Sequence, residues 1–556
     1  MQKKTVAHQV RLLPGYTRLL RSTALAIAFL LSLVWLTSPV TAQLTAENRQ
    51  WLEGFEPNQR KGEALAFCDF NGDGFDDLAF GMPGHTVTVD DVPLLNAGLV
   101  RIFFGGPFGI SNNQLARQTV NQGWLDGGEE SAGALFGSAL AAADFDLDGV
   151  CDLAIGIPGN TVNGLVAAGE VVVVYGLAGS GLNGDRADFF DQGQVTGTPA
   201  TGDRFGSVLA AGVIGDEEHP DLVVGVPNDR VNSQDEAGAV HILFSRSSAG
   251  VSVQSNARLT QDTTNVFGFA SAGDRFGSAL AIGDVTGDDM PDLIIGTPGD
   301  LIETDDDLGS VQVIAGGGSG VEIAVETQLF LHQNVDGVLG DGNPGDEFGY
   351  ALALGDFNGN GSLDLAVGVP GESQFGPNES GAVQIFYGGP TQLSTSGDQV
   401  ILESSISPEI ATFDRFGTTL ATGDFNADGF DELVVGYPLD NVFGQANSGN
   451  VAVLQGAISG VLTSGAQLWN GFTLLTVEPG DEFGFALAVG SLENSMATGV
   501  AGTSLVGSYL AIGVPGREGD GMEAQQGGVM LLRNQVPIFS DDFEVGDTSR
   551  WSSSVP

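Results

Sequence analysis

The sequence has few basic residues. Its 556 residues include 20 lysines and arginines against 70 aspartates and glutamates, which gives a formal net charge of −50 at pH 7. A chain this acidic is repelled by nucleic-acid phosphates and by anionic lipid surfaces. We therefore expect no nucleic acid and no anionic membrane as a partner, and the excess of carboxylates favours a metal ion instead.

Histidine and the common catalytic motifs are also scarce. Beyond the N-terminal segment, no two of the histidines have a zinc-binding spacing; they are His85, His219, His241 and His332. The sequence has no Gly-x-Ser-x-Gly elbow, no P-loop and no dinucleotide-binding fingerprint. From these absences the sequence predicts that the protein is not an enzyme.

Long apolar runs are missing except near the N-terminus. Five basic residues precede the apolar run 24–36, and Val40-Thr41-Ala42 supplies a small-x-small cleavage pattern. The run is shorter than the roughly 20 residues that span a bilayer. We expect residues 1–42 to be a signal peptide that is cleaved near Ala42. The mature chain, with no transmembrane segment, would then be extracellular, cell-surface or periplasmic.

Glycine, in contrast, is abundant, and it separates short apolar runs. The chain has 84 glycines, and runs of five or six apolar residues are bounded by Gly, Pro, Asn and Asp. Such runs are typical of strands rather than helices. We expect an all-β protein with almost no helix after the signal peptide.

One unit of about 70 residues recurs seven times. Each unit starts with Phe-Gly, for which Lys61-Gly62 substitutes in the first unit, and it contains a strand that ends in Gly-x-Pro. The units begin near residues 61, 136, 205, 276, 348, 416 and 483. The Gly-x-Pro motifs stand at 81–83, 156–158, 225–227, 296–298, 368–370, 436–438 and 513–515.

The pattern of four strands in each of seven units predicts a seven-bladed β-propeller of four-stranded antiparallel blades, which we assign to residues 43–538. Separate β-sandwiches are excluded because about 70 residues are too few for a two-sheet core in every unit. The last unit has three strands, and 48–52 resembles the missing one. We expect this N-terminal strand to close the ring by joining the last blade, where 528–532 is a strand.

The Phe-Gly and Gly-x-Pro motifs resemble the FG-GAP repeat of integrin α-subunit head domains, over residues 47–535. The same repeat occurs in the propeller of glycosylphosphatidylinositol-specific phospholipase D, and we expect no counterpart of that protein's catalytic domain here. Residues 539–556 form a short tail that resembles the tails of exported bacterial proteins. A surface-sorting signal and a frayed terminus are both open for it.

Five units carry oxygen side chains at positions 1, 3, 5 and 9 of an acidic loop between two strands, and the backbone carbonyl of position 7 can add another oxygen. In chain order, positions 1, 3, 5, 7 and 9 are Asp69, Asn71, Asp73, Phe75 and Asp77; Asp144, Asp146, Asp148, Val150 and Asp152; Asp284, Thr286, Asp288, Met290 and Asp292; Asp356, Asn358, Asn360, Ser362 and Asp364; and Asp424, Asn426, Asp428, Phe430 and Glu432.

Oxygen ligands without histidine or cysteine are the preference of Ca²⁺. An EF-hand needs Glu at position 12, and that position is apolar in all five loops. A single Asp-Gly is more typical of a hairpin turn, but five loops in phase favour about five calcium sites. The third unit lacks the first ligand and the seventh has a polar insertion at 491–508, so we expect neither to bind calcium in this way.

The two cysteines, Cys68 and Cys151, lie beside similar loops of adjacent units. Two cysteines do not make a disulfide framework. A bridge between them is open, but we favour two buried free thiols.

The resemblance implies that partners bind the face opposite the calcium loops, which is formed by the loops before Phe-Gly and after Gly-x-Pro. The segments 84–96 and 300–308 are polar loops of this kind. We expect an adhesion module that binds an extracellular protein or glycan ligand. The alternative is an extracellular hydrolase or lyase with an active site on one propeller face.

Overall fold

The computed structural model describes most of the predicted propeller. The described residues are 44, 49–53, 60–107, 109–111, 117–214, 219–245, 249–302, 306–317, 328–373, 378–407, 410–474, 478–491, 508–516 and 527–534. The predicted signal peptide and the C-terminal tail lie outside the described residues, as does most of the polar insertion in the seventh unit.

These residues form seven four-stranded antiparallel sheets, so the predicted all-β, seven-bladed propeller is confirmed. Blades 1 to 3 contain β2 (Leu65–Cys68), β3 (Asp77–Met82), β6 (Leu99–Phe103) and β7 (Arg117–Val120); β8 (Leu140–Ala143), β9 (Asp152–Ile157), β10 (Glu170–Leu177) and β11 (Gly181–Phe190); and β12 (Val208–Gly212), β13 (Asp221–Val226), β14 (Ala239–Ser245) and β15 (Val251–Leu259). An additional hairpin in blade 1 is formed by β4 (Val87–Val89) and β5 (Val92–Leu94).

The remaining blades repeat this order. They contain β16 (Ala279–Gly283), β17 (Asp292–Thr297), β20 (Ser310–Ile314) and β21 (Leu329–Leu331); β22 (Ala351–Gly355), β23 (Asp364–Val369), β24 (Ala382–Phe386) and β25 (Gln399–Leu402); β26 (Thr419–Gly423), β27 (Glu432–Tyr437), β28 (Asn450–Gln455) and β29 (Leu462–Asn470); and β30 (Leu487–Ser491), β31 (Ser508–Val514), β32 (Gly528–Arg533) and β1 (Gln50–Glu53). Blade 4 also has a short hairpin of β18 (Leu301–Ile302) and β19 (Asp306–Asp307).

Helical structure is very limited in the part of the chain that the structure describes. It consists of the four-residue helix Gly471–Leu474 and the 3-10 turns Gln122–Trp124, Glu403–Ser405 and Val442–Gly444. No described helix is long and apolar enough to cross a membrane.

The first strands of the blades form the inner wall of the ring. Each of β2, β8, β12, β16, β22, β26 and β30 contacts the next one, and β30 contacts β2 again. The hydrophobic core lies between neighbouring blades, where the apolar faces of two adjacent sheets pack on each other. The ring is therefore closed by side-chain packing on all sides.

The ring is also closed by strand exchange, as predicted. β1 pairs with β32 in antiparallel register, with Gln50 opposite Leu531 and Glu53 opposite Gly528. The strand begins two residues later than the predicted segment 48–52. As the outer strand of blade 7, it completes the last sheet with residues from the start of the propeller.

The Phe-Gly and Gly-x-Pro motifs set the contact between consecutive blades. The phenylalanine of each Phe-Gly pair is almost fully buried and, at five junctions, forms a backbone bridge with the glycine that precedes the third strand of the previous blade. In Gly-x-Pro, a Cβ on Gly296 would overlap the carbonyl oxygen of Gly349 in the next blade. Only glycine permits this backbone approach, which explains the strict repetition of both motifs.

The two cysteines form a disulfide, so the preference for free thiols is wrong. Their Cα atoms are 6.0 Å apart, and the bond joins blade 1 to blade 2. The two acidic loops touch sideways, because the Cys151 backbone N–H donates to the Asp69 carbonyl at 3.0 Å. This lateral contact brings the sulfur atoms together, and it is not visible in the spacing of the two cysteines.

Candidate functional site

The five predicted acidic loops lie at the same end of their blades, between the first and second strands. The position-1 aspartate organises each loop by accepting two backbone N–H groups. In blade 1, Asp69 accepts from Asp73 at 3.1 Å and from Gly74 at 2.7 Å. The same pair of bonds recurs at Asp144, Asp284, Asp356 and Asp424.

The position-9 carboxylate has a structural role in addition to any role as a ligand. Asp77 is fully buried at the start of β3, and it accepts the N–H groups of Phe70 at 3.0 Å and Gly105 at 2.7 Å. In blade 3, which was not predicted to bind calcium, Asp221 keeps the bond equivalent to that of Gly105, from the Ser245 N–H at 3.0 Å. An acidic residue at position 9 therefore does not by itself indicate a metal site.

The position-3 side chains supply observations that fit a cation. The Asn71 side chain is nearly buried, and its Oδ1 atom accepts no hydrogen bond from the described residues. In blade 2, oxygens of Asp144, Asp146 and Asp152 lie within 4.8 Å of one another. Asp146 also forms an ion pair with Arg186, so part of the charge of this group is already neutralised. Converging oxygens of this kind fit a hard cation such as Ca²⁺.

The electrostatics of the loops also favour positive charge. Burial raises the pKa of Asp77 to about 8, and the charges of Asp69 and Asp73 add to this effect. Burial likewise raises the pKa of Asp152 to about 8, with contributions from Asp146 and Asp144. The carboxylates of one loop repel one another, and a bound cation would relieve that repulsion.

A second group of carboxylates lies on the opposite face, where blade 5 meets blade 6. Glu403 follows β25, Asp414 precedes the Phe-Gly pair at 416–417, and Asp440 follows the Gly-x-Pro motif at 436–438. The three side chains are 1%, 0% and 8% exposed, and their oxygens lie within 4.8 Å of one another. We call these three residues the carboxylate cluster. The sequence motifs do not reveal this cluster, because its three residues lie outside the regular acidic loops.

The carboxylate cluster borders a pocket of about 280 Å³. The Asn450 amide donates to Asp440 at 3.1 Å and orients one wall, while Phe443 is 64% exposed at the rim. The pocket is lined by Ser407, Ile410, Ala411, Asp414, Asp440, Asn441, Val442, Phe443, Asn450, Leu468 and Asn470. It therefore combines carboxylates and amides with an apolar edge.

The other blade junctions show why Glu403 is unusual. At the junction of blades 3 and 4, the Gln261 amide donates to Asp300 at 2.9 Å, and at the next junction Gln333 donates to Glu372 at 2.7 Å. Glu403 replaces this amide with a carboxyl group. Burial, followed by the charges of Asp414 and Asp440, raises its pKa to about 9. The sequence contains one sign of this difference. At the end of the fourth strand, six units have an equivalent residue that is an amide in all but one case: Gln122, Gln192, Gln261, Gln333, Glu403 and Asn470.

A buried tyrosine hydroxyl also lies near the carboxylate cluster. Tyr437 is fully buried, and its Oη atom makes no hydrogen bond with the described residues. Burial raises the pKa of this phenol well above its usual value, and the nearby charges of Glu403, Asp440 and Asp414 raise it further. The hydroxyl therefore lies within electrostatic reach of all three carboxyl groups.

The repeat units match a known family. The FG-GAP repeat matches residues 62–102, 136–174, 276–314, 348–386 and 416–454. These segments belong to the five blades that carry the acidic loops. Integrin alpha-PS2 of Drosophila melanogaster is 37% identical over 179 residues, which are 31% of this chain and 12% of that protein. The chain carries five FG-GAP repeats and is homologous to integrin α chains.

The FG-GAP propeller also has relatives that align over most of its length. Phosphatidylinositol-glycan-specific phospholipase D of Bos taurus is 27% identical over 491 residues, and that of Homo sapiens is 27% identical over 488 residues. Each alignment covers 82% of this chain and 54% of the relative, so the chain spans about half the length of these proteins.

The prediction that the protein is not an enzyme is wrong in view of these relatives. These relatives are named as an enzyme, and the alignments cover most of the FG-GAP propeller. The prediction relied on linear motifs. A site on a propeller face instead collects groups from separate loops, as the carboxylate cluster does, and such a site leaves no linear motif.

Proposed function

We propose that this chain is an extracellular hydrolase that acts on the phosphodiester of phosphatidylinositol-glycans, with its active site in the pocket beside the carboxylate cluster. The observation that carries the proposal is the alignment of 82% of the chain with relatives named for this substrate and activity. The pocket supports it, because it is a concave site with convergent carboxyl and amide groups.

The pocket contains groups suited to phosphodiester hydrolysis. A carboxylate such as Asp440 can accept a proton from the attacking water, and Asn450 holds that carboxylate in place. The side-chain amides of Asn441 and Asn470 can donate hydrogen bonds to phosphoryl oxygens. The exposed ring of Phe443 offers an apolar surface for the lipid portion of the substrate.

In this proposal the acidic loops are calcium sites that stabilise the FG-GAP propeller from the other face. The orphaned Asn71 oxygen and the converging carboxylates of blade 2 support calcium binding. Calcium at these sites also fits an extracellular location, where the ion is available at millimolar concentration. The ions would hold loop structure and would take no part in the reaction.

The test uses the full chain and a phosphatidylinositol-glycan-anchored protein in detergent micelles. We expect release of the protein together with phosphatidic acid, and Asp440→Asn should lower the rate by at least about 100-fold. Asp300→Asn is the matched control, since Asp300 has the same place after Gly-x-Pro at the junction of blades 3 and 4, and it should retain activity. No product from the wild-type chain, or equal loss in both variants, would contradict the proposal.

A second candidate function, binding of an extracellular protein or glycan, is favoured by the exposed apolar side chains of the pocket face and by the homology to integrin α chains. Most exposed large apolar residues of the described chain lie in the loops of this face: Val89, Val92, Leu95, Trp124, Val166, Phe267, Phe269, Leu301, Leu339, Phe413 and Phe443.

Binding to arrays of extracellular matrix proteins and glycans tests this candidate. Phe413→Ser combined with Phe443→Ser should reduce retention of the chain. Ile458→Ser should not, because Ile458 is 87% exposed in a hairpin at the other end of its blade. Equal retention of all variants would count against a ligand on the pocket face.

A further inference from the structure

We propose that the carboxylate cluster binds one divalent cation, with Glu403, Asp414 and Asp440 as ligands and the adjoining pocket as its route of entry. This site is separate from the acidic loops, because it lies at the opposite end of the strands. It is formed by three loops at a blade junction rather than by one loop within a blade.

The first argument is the accumulation of buried acidic groups. Three carboxyl groups share a space in which their oxygens are within 4.8 Å, and none of the three residues is more than 8% exposed. The neighbouring Arg415 does not serve as their counter-charge, since its guanidinium forms ion pairs with Glu347 and Glu379. Carboxyl oxygens that converge in this way form an all-oxygen site, which is suited to a hard divalent ion.

The second argument comes from the equivalent junctions, which serve as internal controls. There the same space holds two carboxyl groups and one glutamine, and the amide donates a hydrogen bond to the carboxylate after Gly-x-Pro, as Gln261 does to Asp300 and Gln333 to Glu372. Glu403 has nearly the same size as glutamine and, while protonated, can donate to Asp414 as an amide would. Unlike an amide, it can also give up that proton and become an anionic ligand. The exchange therefore adds an ionisable oxygen ligand, and a bound cation would stabilise its charged form.

The third argument is independent of the carboxylates. The Tyr437 side chain is fully buried with an Oη atom that makes no hydrogen bond to the described residues, although it lies within the field of all three carboxyl groups. An unpartnered buried hydroxyl is costly, and coordination to a cation would satisfy its oxygen. The position equivalent to Tyr437 is Thr297 in blade 4 and Val369 in blade 5, so the hydroxyphenyl group accompanies the glutamate exchange.

The position of the pocket indicates what the cation would do. Asp414 and Asp440 belong both to the carboxylate cluster and to the pocket lining, so an ion held there would face the pocket. In so acidic a pocket, a phosphodiester needs a positive charge before it can approach the carboxylates. This last step rests on the proposed function, whereas binding of the ion does not.

The experiment measures bound ions per chain after equilibrium dialysis against Ca²⁺ or Mn²⁺, by mass spectrometry of the metal. Glu403→Gln restores the residue found at the other junctions, and we expect it to bind about one ion fewer than the wild type with an unchanged circular dichroism spectrum. Asp414→Asn should lose the same ion, and the matched control Asp300→Asn should keep the wild-type count. Melting adds a second readout: without divalent ions Glu403→Gln should melt at or above the wild-type temperature, and it should gain less from added ions.

Equal ion counts in the wild type and Glu403→Gln, or an equal loss in Asp300→Asn, would overturn the cation site. The two proposals can fail separately. Loss of the ion in Glu403→Gln without any hydrolysis by the wild type would leave the cation site standing and would reject the hydrolase. Hydrolysis by the wild type, with equal ion counts in the wild type and Glu403→Gln, would leave the hydrolase standing and would reject the cation site.

Discussion

The acidic loops make a quantitative prediction about calcium, which Asp148→Ala tests with little disturbance of the fold. Asp148 is exposed, and its side chain accepts a hydrogen bond from the Val150 N–H at 2.9 Å. The position-1 and position-9 carboxylates hold most of the loop, so the substitution removes a proposed ligand but leaves the main hydrogen bonds. We expect it to bind about one calcium ion fewer than the wild type.

The expected magnitude follows from linkage. A site with a dissociation constant near 10⁻⁴ M contributes roughly 1.4 kcal/mol to the free energy of unfolding at about 1 mM calcium. Five such loops contribute on the order of 7 kcal/mol. With an unfolding entropy of about 2.1 cal/mol/K per residue, a cooperative ring of this length shifts its melting temperature by about 1.4 °C per site. Chelation of all five sites should therefore lower it by about 7 °C.

Scanning calorimetry in calcium and in chelator provides the assay. Asp148→Ala should lower the melting temperature in calcium and have little effect in chelator. The control is Asp221→Asn in blade 3, which weakens the buried bond from Ser245 and should destabilise the propeller by about 1–3 kcal/mol in both conditions. The reasoning is refuted if the effect of Asp148→Ala is the same with and without calcium, or if the wild type takes up none.

Three further predictions concern stability. Replacing Cys68 and Cys151 with alanine opens a loop closed over a separation of 83 residues and should cost about 4–5 kcal/mol in chemical denaturation; an unchanged midpoint would contradict this. Gly296→Ala should lower the melting temperature by several degrees because its Cβ overlaps the next blade, whereas Gly106→Ala, with open space around its Cβ position, should not; equal melting temperatures would refute the steric argument. Burial lowers the pKa of His241 to about 3, with a further contribution from Arg258, so the folded state binds the proton less tightly than the unfolded chain. The stability of the wild type relative to His241→Phe should therefore fall by roughly 1.4 kcal/mol per pH unit from about pH 6.5 down to about pH 3, and a constant difference in denaturation across that range would exclude this effect.

The fold was largely predictable because each blade repeats the same contacts. Gly-x-Pro and Phe-Gly recur where two backbones approach, so their spacing marks every blade junction. Even the closing strand was visible, since the last unit had one strand too few and 48–52 had the pattern of the missing one. The position-1 aspartate organises an acidic loop between the first and second strands in blades 1, 2, 4, 5 and 6, and calcium binding by these loops stays a prediction.

Features that depend on contact between blades were not predictable in the same way. The disulfide forms because two loops touch sideways; the equivalent positions of Cys68 and Cys151 in adjacent units left a bridge open but did not show this contact. The carboxylate cluster is marked by Glu403 alone, one residue that departs from a column of amides. The importance of Glu403 becomes clear only in the structure, where the equivalent residues contact the loops of the next blade. The prediction that the protein is not an enzyme was wrong for a related reason. It rested on the absence of motifs within single segments of the chain.

The pairing of β1 with β32 has a mechanical consequence. Because the two strands are antiparallel, with Gln50 opposite Leu531, the chain enters β1 and leaves β32 at the same end of blade 7. That end carries the acidic loops in the other blades, so the start of β1 and the end of β32 both lie away from the pocket face. A force that pulls the two flanking segments apart would load this pair one hydrogen bond at a time, as in a zipper, rather than all bonds together in shear. The outer strand of blade 7 is therefore the place where the ring would open first under tension, while a pull from one side only would leave the closure unloaded.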